Sequence, residues 1–211
     1  MEQEMKYSVG SRKLSDSIWE DPMLMDIQTA GSAEAVVMKA VYFDTKDMVL
    51  AKNNMTVRVR AEGEKSIATL KWGGNCSNGF HERNEVNVPV SEEESLINPS
   101  AKTFKDSDDG KVLLDLIGEE PLINLMEMRF LRKRARLNYK GSLIELALDQ
   151  GSIITDFGEI PISEMELELY AGEVAMIKEL GNKLSEKYDL SPEVRSKFSR
   201  GYALIESGLQ K

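Results

Sequence analysis

Glu2-Gln3-Glu4-Met5-Lys6-Tyr7-Ser8-Val9 opens the chain, and its reading decides the rest. As a β-strand it sends alternate side chains to opposite faces, so Glu2, Glu4 and Lys6 project to one side. Three charges on one face are unusual for a core strand and reasonable for a strand that lines a polar cavity. Two carboxylates at i and i+2 can hold a hard divalent cation through oxygen, and a lysine beside them can grip an anion such as a phosphate. The stretch also reads as an exposed segment with scattered charge. Repetition further along the chain decides between the two.

The alternation recurs. Met55 to Ala61 puts Val57 and Val59 on one face and Arg58 and Arg60 on the other, and Ser66 to Trp72 puts Thr69 and Lys71 together. Phe80 to Val90 carries His81, Arg83, Glu85 and Asn87 on one face. In Leu122 to Tyr139, Arg132, Arg134 and Arg136 share a face with Phe130. In Leu143 to Gln150, Glu145 and Asp149 share one with Ala147. Glu159 to Tyr170 contains Glu164-Met165-Glu166-Leu167-Glu168-Leu169, a strict alternation of acid and hydrophobe that mirrors the opening strand.

Between these lie the connections. Ser11 to Gln28 is expected as a helix with an irregular end near Pro22, Ala33 to Thr45 as a strand, and Lys46 to Lys52 as a helical turn before Asn53-Asn54. Gly73 to Gly79 reads as a loop, and Ile153 to Thr155 as a short separate strand. Acidic Ser91 to Glu120 is expected to hold two short helices, one starting near Ser91 and one over Asp108 to Ile117, their acids complementing the helix dipole. Gly172 to Lys187 reads as a core-facing helix, and Ser191-Pro192-Glu193 as the start of a short helical segment.

At 211 residues, with 41% hydrophobic and 30% charged residues, the chain belongs with globular proteins and has room for a sizeable core. Its apolar runs are too short to span a bilayer and its N-terminus is charged where a signal peptide needs an apolar core, so a cytoplasmic location is expected. One cysteine, Cys76, cannot form an internal disulfide, and one Cys with one His, His81, cannot build the usual zinc sites. A net charge of −9 argues against a general nucleic-acid binder. Arg129 to Arg136 could form a basic nucleic-acid patch, but net acidity and the absence of interleaved aromatics weaken that reading.

About eight strands joined by short reversals, each with a charged face, make sense if the sheet closes with those faces inward. The expected fold is therefore α+β, a closed antiparallel eight-stranded β-barrel with flanking helices. Buried charge must be paired or metal-bound, so a tunnel lined by both signs suits a polyanion with a divalent metal.

The motifs Glu2-Gln3-Glu4-Met5-Lys6, Tyr42-Phe43-Asp44-Thr45, Arg58-Val59-Arg60, Thr69-Leu70-Lys71, Arg83-Asn84-Glu85, Leu148-Asp149-Gln150-Gly151, Glu164 to Glu168 and Ser196-Lys197 resemble, in order, those of the CYTH superfamily, the triphosphate tunnel metalloenzymes. His81 to Pro89 and Ala147 to Gly151 are most similar to its bacterial inorganic triphosphatase branch. The resemblance implies one CYTH domain over 1–211, without the C-terminal helical CHAD domain that branch often adds. It implies Mg²⁺ or Mn²⁺ held by Glu2, Glu4, Glu166 and Glu168 with Asp149 or Glu145 nearby. Lys6, Arg58, Arg60, Lys71, Arg83, Arg132, Arg134 and Lys197 would clamp phosphate oxygens, with Lys6 also counted as catalytic. Glu85 and Glu145 are the candidates for positioning the attacking water, and His81 is a positioning or surface residue rather than a base.

The implied activity is metal-dependent hydrolysis of inorganic triphosphate. Nucleoside or thiamine triphosphate hydrolysis, adenylate cyclisation, and a non-catalytic polyphosphate-binding module are the alternatives. The expected partner is a small-molecule triphosphate, with no nucleic acid and no membrane, and a homodimer is left open.

Overall fold

The computed structural model describes residues 1–91 and 99–210. Eight strands form the barrel: β1 (Glu2–Ser8), β2 (Glu34–Asp44), β3 (Met55–Glu62), β4 (Lys65–Ser77), β5 (Phe80–Val90), β6 (Ile123–Tyr139), β7 (Ser142–Thr155) and β8 (Gly158–Ala171). Their order is β5-β4-β3-β2-β6-β7-β8-β1, and β1 pairs back onto β5, which closes the sheet. All these pairings are antiparallel. A two-residue strand, β9 (Ser191–Pro192), adds to β1 at Tyr7 and Ser8.

The barrel carries charges over much of its interior and an apolar outer surface, and helices cover that outer surface. Met5, Tyr7, Leu146, Leu148, Met165 and Leu167 point outward beneath α1 (Arg12–Trp19), α2 (Pro22–Ile27) and α5 (Val174–Tyr188), which contribute Ile18, Leu24, Ile177, Leu180 and Leu184. A second outer cluster joins Val41, Phe43, Val57, Val59 and Leu70 to Leu50 of α3 (Val49–Lys52). Phe104 of a 3₁₀ turn (Ala101–Phe104) and Leu113 and Ile117 of α4 (Asp108–Ile117) complete it. Each fully buried Leu or Ile contributes about 1.5–3 kcal/mol relative to exposure. These helices are therefore the means by which an inward-charged sheet is stabilised.

The last helix, α6 (Lys197–Leu209), does something different: it packs into one end of the barrel. Ile205, Phe198 and Tyr202 meet the inward-facing Met38, Tyr42, Met126, Met128, Phe130 and Ile153. The approach is close enough to require glycine, since a Cβ on Gly201 would stand 2.5 Å from the Met126 sulfur. Ser196 caps the helix by accepting from the Ser199 N–H at 3.0 Å.

Several expectations change. The helix over Ser11 to Gln28 is broken in two, because Asp21 caps α2 by accepting from Met23 N–H (2.8 Å) while its carboxylate also accepts from Lys187 and Tyr188. The expected loop Gly73 to Gly79 is mostly strand: Asn75, Cys76 and Ser77 pair with Glu82, His81 and Phe80. Gly73 and Gly74, both at positive φ, form a bulge that interrupts β4 without ending it. Ile153 to Thr155 is not separate but the end of β7. Ser191-Pro192 is a strand bridge, and the helix begins only at Lys197. The helix expected near Ser91 lies outside the described residues. Among the described residues no helix is long and apolar enough to cross a membrane.

Candidate functional site

Strand parity assembles the site. The even residues of β1, β3, β6 and β8 and the odd residues of β4, β5 and β7 face inward, around a cavity of about 400 Å³. Asn54, Gly73 to Cys76, Val194, Ser196 and Ser199 also border it.

A knot of buried ion pairs forms one wall. Arg132 grips Asp149 with two hydrogen bonds of 2.7 Å and reaches Glu166 at 2.6 Å. Lys197 lies 2.8 Å from Asp149, 2.9 Å from Glu164 and 2.8 Å from Glu166. Arg200, one helical turn on, pairs with Glu164. Burial opposes ionisation of Asp149 and Glu166, but the adjacent Arg132 and Lys197 outweigh it and hold both carboxyls below their ordinary range.

The remaining charges line the opening. Lys6 bridges Glu4 at 3.0 Å and Glu166 at 3.2 Å. Lys71 bridges Glu2 and Glu85, the latter at 2.9 Å. Arg58 donates to the Tyr42 hydroxyl at 3.3 Å, Arg60 pairs with Glu62 at 3.3 Å, and Arg83 donates to the Gly73 carbonyl at 3.2 Å. The Nε of Arg58 and of Arg60 is buried and, among the described residues, has no partner. Burial, with Arg58 and Arg132 beside it, brings the Arg60 pKa down to about 10, as expected where cations crowd together without enough counter-charge.

Carboxylates crowd the other side. Glu168 stands opposite Glu4 in the β1–β8 register, and among the described residues no cation lies within ion-pair distance of it. Burial, then Glu2, Glu4, Glu145 and Glu166, push its carboxyl up to about 8. Glu4 is raised as well, by burial first; Lys6 opposes the shift while Glu166 and Glu2 add to it. Among the described residues no three His, Cys, Asp or Glu side chains are already gathered tightly enough to grip an ion. Excess negative charge on hard oxygen donors nevertheless fits a hard divalent cation. This carries a pH dependence. Because the folded-state pKa of Glu168 is raised above its ordinary 4.5, its stabilising contribution is full below about 4.5 and is lost as pH rises through about 8. Urea midpoints in EDTA from pH 5 to 9 are expected to fall less steeply in Glu168→Gln than in the parent. An identical slope would show that Glu168 is not the titrating group.

Of the residues expected at the site, Glu2, Glu4, Lys6, Arg58, Arg60 and Lys71 line the cavity, and so do Arg83, Arg132, Glu166, Glu168 and Lys197. Four do not. Asp149 is 0% exposed behind Arg132 and Lys197, so it orients cations and is not available to a metal. Glu85 is held by Lys71 and accepts from Asn87 at 2.8 Å, and Glu145 accepts from the Tyr170 hydroxyl at 3.1 Å. Arg134 is tied to Glu34 at 2.7 Å and to Glu62. His81 also borders the cavity, and its Nε2 lies 2.8 Å from the carbonyl of Glu193, which ties β5 to the segment between β9 and α6. Glu164 and Arg200 were not singled out, although the parity of Glu164 with Glu166 and the i, i+3 spacing of Lys197 and Arg200 were both visible.

A family model described as the CYTH domain matches residues 4–202. An inorganic triphosphatase of Haemophilus influenzae is 33% identical over 163 residues, 77% of this chain and 44% of that protein, so the chain spans less than half the length of this curated relative. A solved structure from Hippeastrum, of an adenylyl cyclase candidate reported to have a dominant triphosphatase activity, superposes with a TM-score of 0.71 at 20% identity over 96% of each chain. One from Bacillus halodurans, assigned as an adenylate cyclase, gives 0.59 at 19% identity over 95% of this chain and 98% of that one. At these identities the two structures establish likeness of fold.

Proposed function

The chain belongs to the CYTH domain family, and from that premise we propose that it hydrolyses inorganic triphosphate to pyrophosphate and orthophosphate with the help of Mg²⁺ or Mn²⁺. The observation that carries this reading is the composition of one cavity. Arg58, Arg60, Lys71 and Arg83 line one side, and carboxylates without enough cations line the other. A polyanion satisfies the first set and a hard cation the second.

In this reading Arg58, Arg60, Arg83 and Arg132, with Lys6 and Lys71, bind the phosphate oxygens and hold the substrate extended. Arg132 is kept in place by Asp149, so its charge needs no reorganisation when substrate arrives, and Lys197, shared among Asp149, Glu164 and Glu166, adds positive charge beside the phosphates through space. Glu2, Glu4 and Glu168 would hold the cation, with Glu166 at its border. The cation, when bound, neutralises charge developing on the phosphoryl oxygens. Water adds to a terminal phosphorus, the bridging P–O bond breaks, and pyrophosphate leaves with its charge spread over the arginines. Glu85 and Glu145 serve by holding Lys71 and Tyr170.

Orthophosphate release from tripolyphosphate, ATP and thiamine triphosphate, compared in Mg²⁺, Mn²⁺ and EDTA, tests the reading. Tripolyphosphate is expected to be cleaved fastest, and EDTA to abolish cleavage. If no compound is cleaved while tripolyphosphate still raises the melting temperature, the cavity is a polyphosphate receptor and the hydrolase reading is wrong.

A further inference from the structure

The carboxylates of the cavity fall into two classes according to how their cations are placed. Asp149 and Glu164 are 0% and 1% exposed, and neither borders the cavity, so their pairs with Arg132, Lys197 and Arg200 stand whatever enters. Glu2 and Glu4 are different. Both border the cavity, and so do the lysines that hold them, Lys71 and Lys6.

Each lysine in this second class is doubly engaged and largely buried. Lys6 spans Glu4 and Glu166 with 9% of its side chain exposed, and Lys71 spans Glu2 and Glu85 with 12% exposed. An ammonium has three protons to place and no acceptor of its own, so once removed from water it stays on carboxylates until another anion replaces them. A carboxylate oxygen occupied by an ammonium is a poor ligand for a cation. An ammonium occupied by a carboxylate is a poor ligand for phosphate. That is why no carboxylate cluster among the described residues is gathered around an ion position although the donors are adjacent in the barrel.

Resting on the triphosphatase reading above, we propose that Lys6 and Lys71 are built-in counter-ions that occupy Glu4 and Glu2 until a polyphosphate draws them away, so that the anion and a divalent cation each release the other's ligands. Such coupling is reciprocal: if the anion tightens cation binding, the cation tightens anion binding by the same factor. Either partner alone meets a self-neutralised site and binds weakly. The two together meet an open one.

The test measures Mn²⁺ binding to the full chain, without phosphate, from the loss of the free-ion paramagnetic resonance signal. Lys71→Met is expected to bind Mn²⁺ about tenfold more tightly than the parent or better, the size set by releasing a charge-assisted hydrogen bond. Arg58→Met removes one positive charge from the same cavity but frees no carboxylate, since the Arg58 partner is the Tyr42 hydroxyl. It is expected to tighten binding by less than about threefold, the residual effect of a charge that acts only through space. Equal tightening in the two variants would mean that net charge alone is at work and would overturn the proposal. So would a Lys71→Met protein that binds Mn²⁺ no better than a parent that does bind it. If Lys71→Met does not melt cooperatively, Lys6→Met puts the same question to Glu4. Failure of the underlying function looks different: parent and variants would all leave Mn²⁺ free, and tripolyphosphate would stay uncleaved.

Discussion

Glu4→Gln is expected to lower tripolyphosphate hydrolysis by more than about tenfold while the protein still folds. Even partners that only orient a metal ligand are typically worth 10–100-fold, and Glu4 is read here as a ligand itself. The amide keeps the shape of the side chain but removes the charge that a divalent cation needs. Folding is expected to survive because Lys6 keeps Glu166 at 3.2 Å when Glu4 is neutralised. The carboxyl of Glu4 is also raised by its own burial, so losing its charge relieves a desolvated group. Steady-state kinetics in Mn²⁺ and a melting curve check both halves. Unchanged turnover together with unchanged Mn²⁺ affinity would take Glu4 out of the site.

Asp149→Asn is expected to act the other way, on stability first. Asp149 carries both a bidentate Arg132 and Lys197 at 2.8 Å, and it is fully buried. Removing one partner of a buried ion pair costs about 3–5 kcal/mol, because the remaining charges are left uncompensated. For a domain of this size each kcal/mol lowers the melting temperature by roughly 2–4 °C, so a fall on the order of 6–20 °C is expected. Asp149→Leu combined with Arg132→Met is expected to recover part of that loss, since Lys197 retains Glu164 and Glu166. Urea unfolding of the three proteins measures it. A single mutant within about 1 kcal/mol of the parent would mean that the knot contributes little to folding.

The contrast between Glu4 and Asp149 shows what could be read in advance. Both lie on inward faces, and the family resemblance places both in one metal-binding set. Alternation with period two says which face of the sheet a side chain takes. It does not say how far along the barrel axis the residue sits, because that depends on strand stagger and tilt. Glu85, Glu145 and Arg134 also face inward, and each is already engaged, by Lys71, Tyr170 and Glu34 respectively, which no single strand reveals. In Arg129 to Arg136, pairing with β2 sends Arg132, Arg134 and Arg136 inward and leaves Arg129 out, with Glu127. The Gly73 to Gly79 stretch erred differently. Local glycine content argued for a loop, and pairing with β5 overrode it.

By itself, the sequence determined that this is a barrel of charged-face strands closed around a cavity of both signs, since side-chain parity is a property of the backbone alone. It likewise determined most of the residues that line the cavity. Only the tertiary structure decided which charges neutralise one another and which are left over, because an ion pair depends on the distance between side chains from strands far apart in the chain. That surplus, the β3 arginines Arg58 and Arg60 across the cavity from Glu168, which among the described residues has no cation within ion-pair distance, gives the cavity its chemistry.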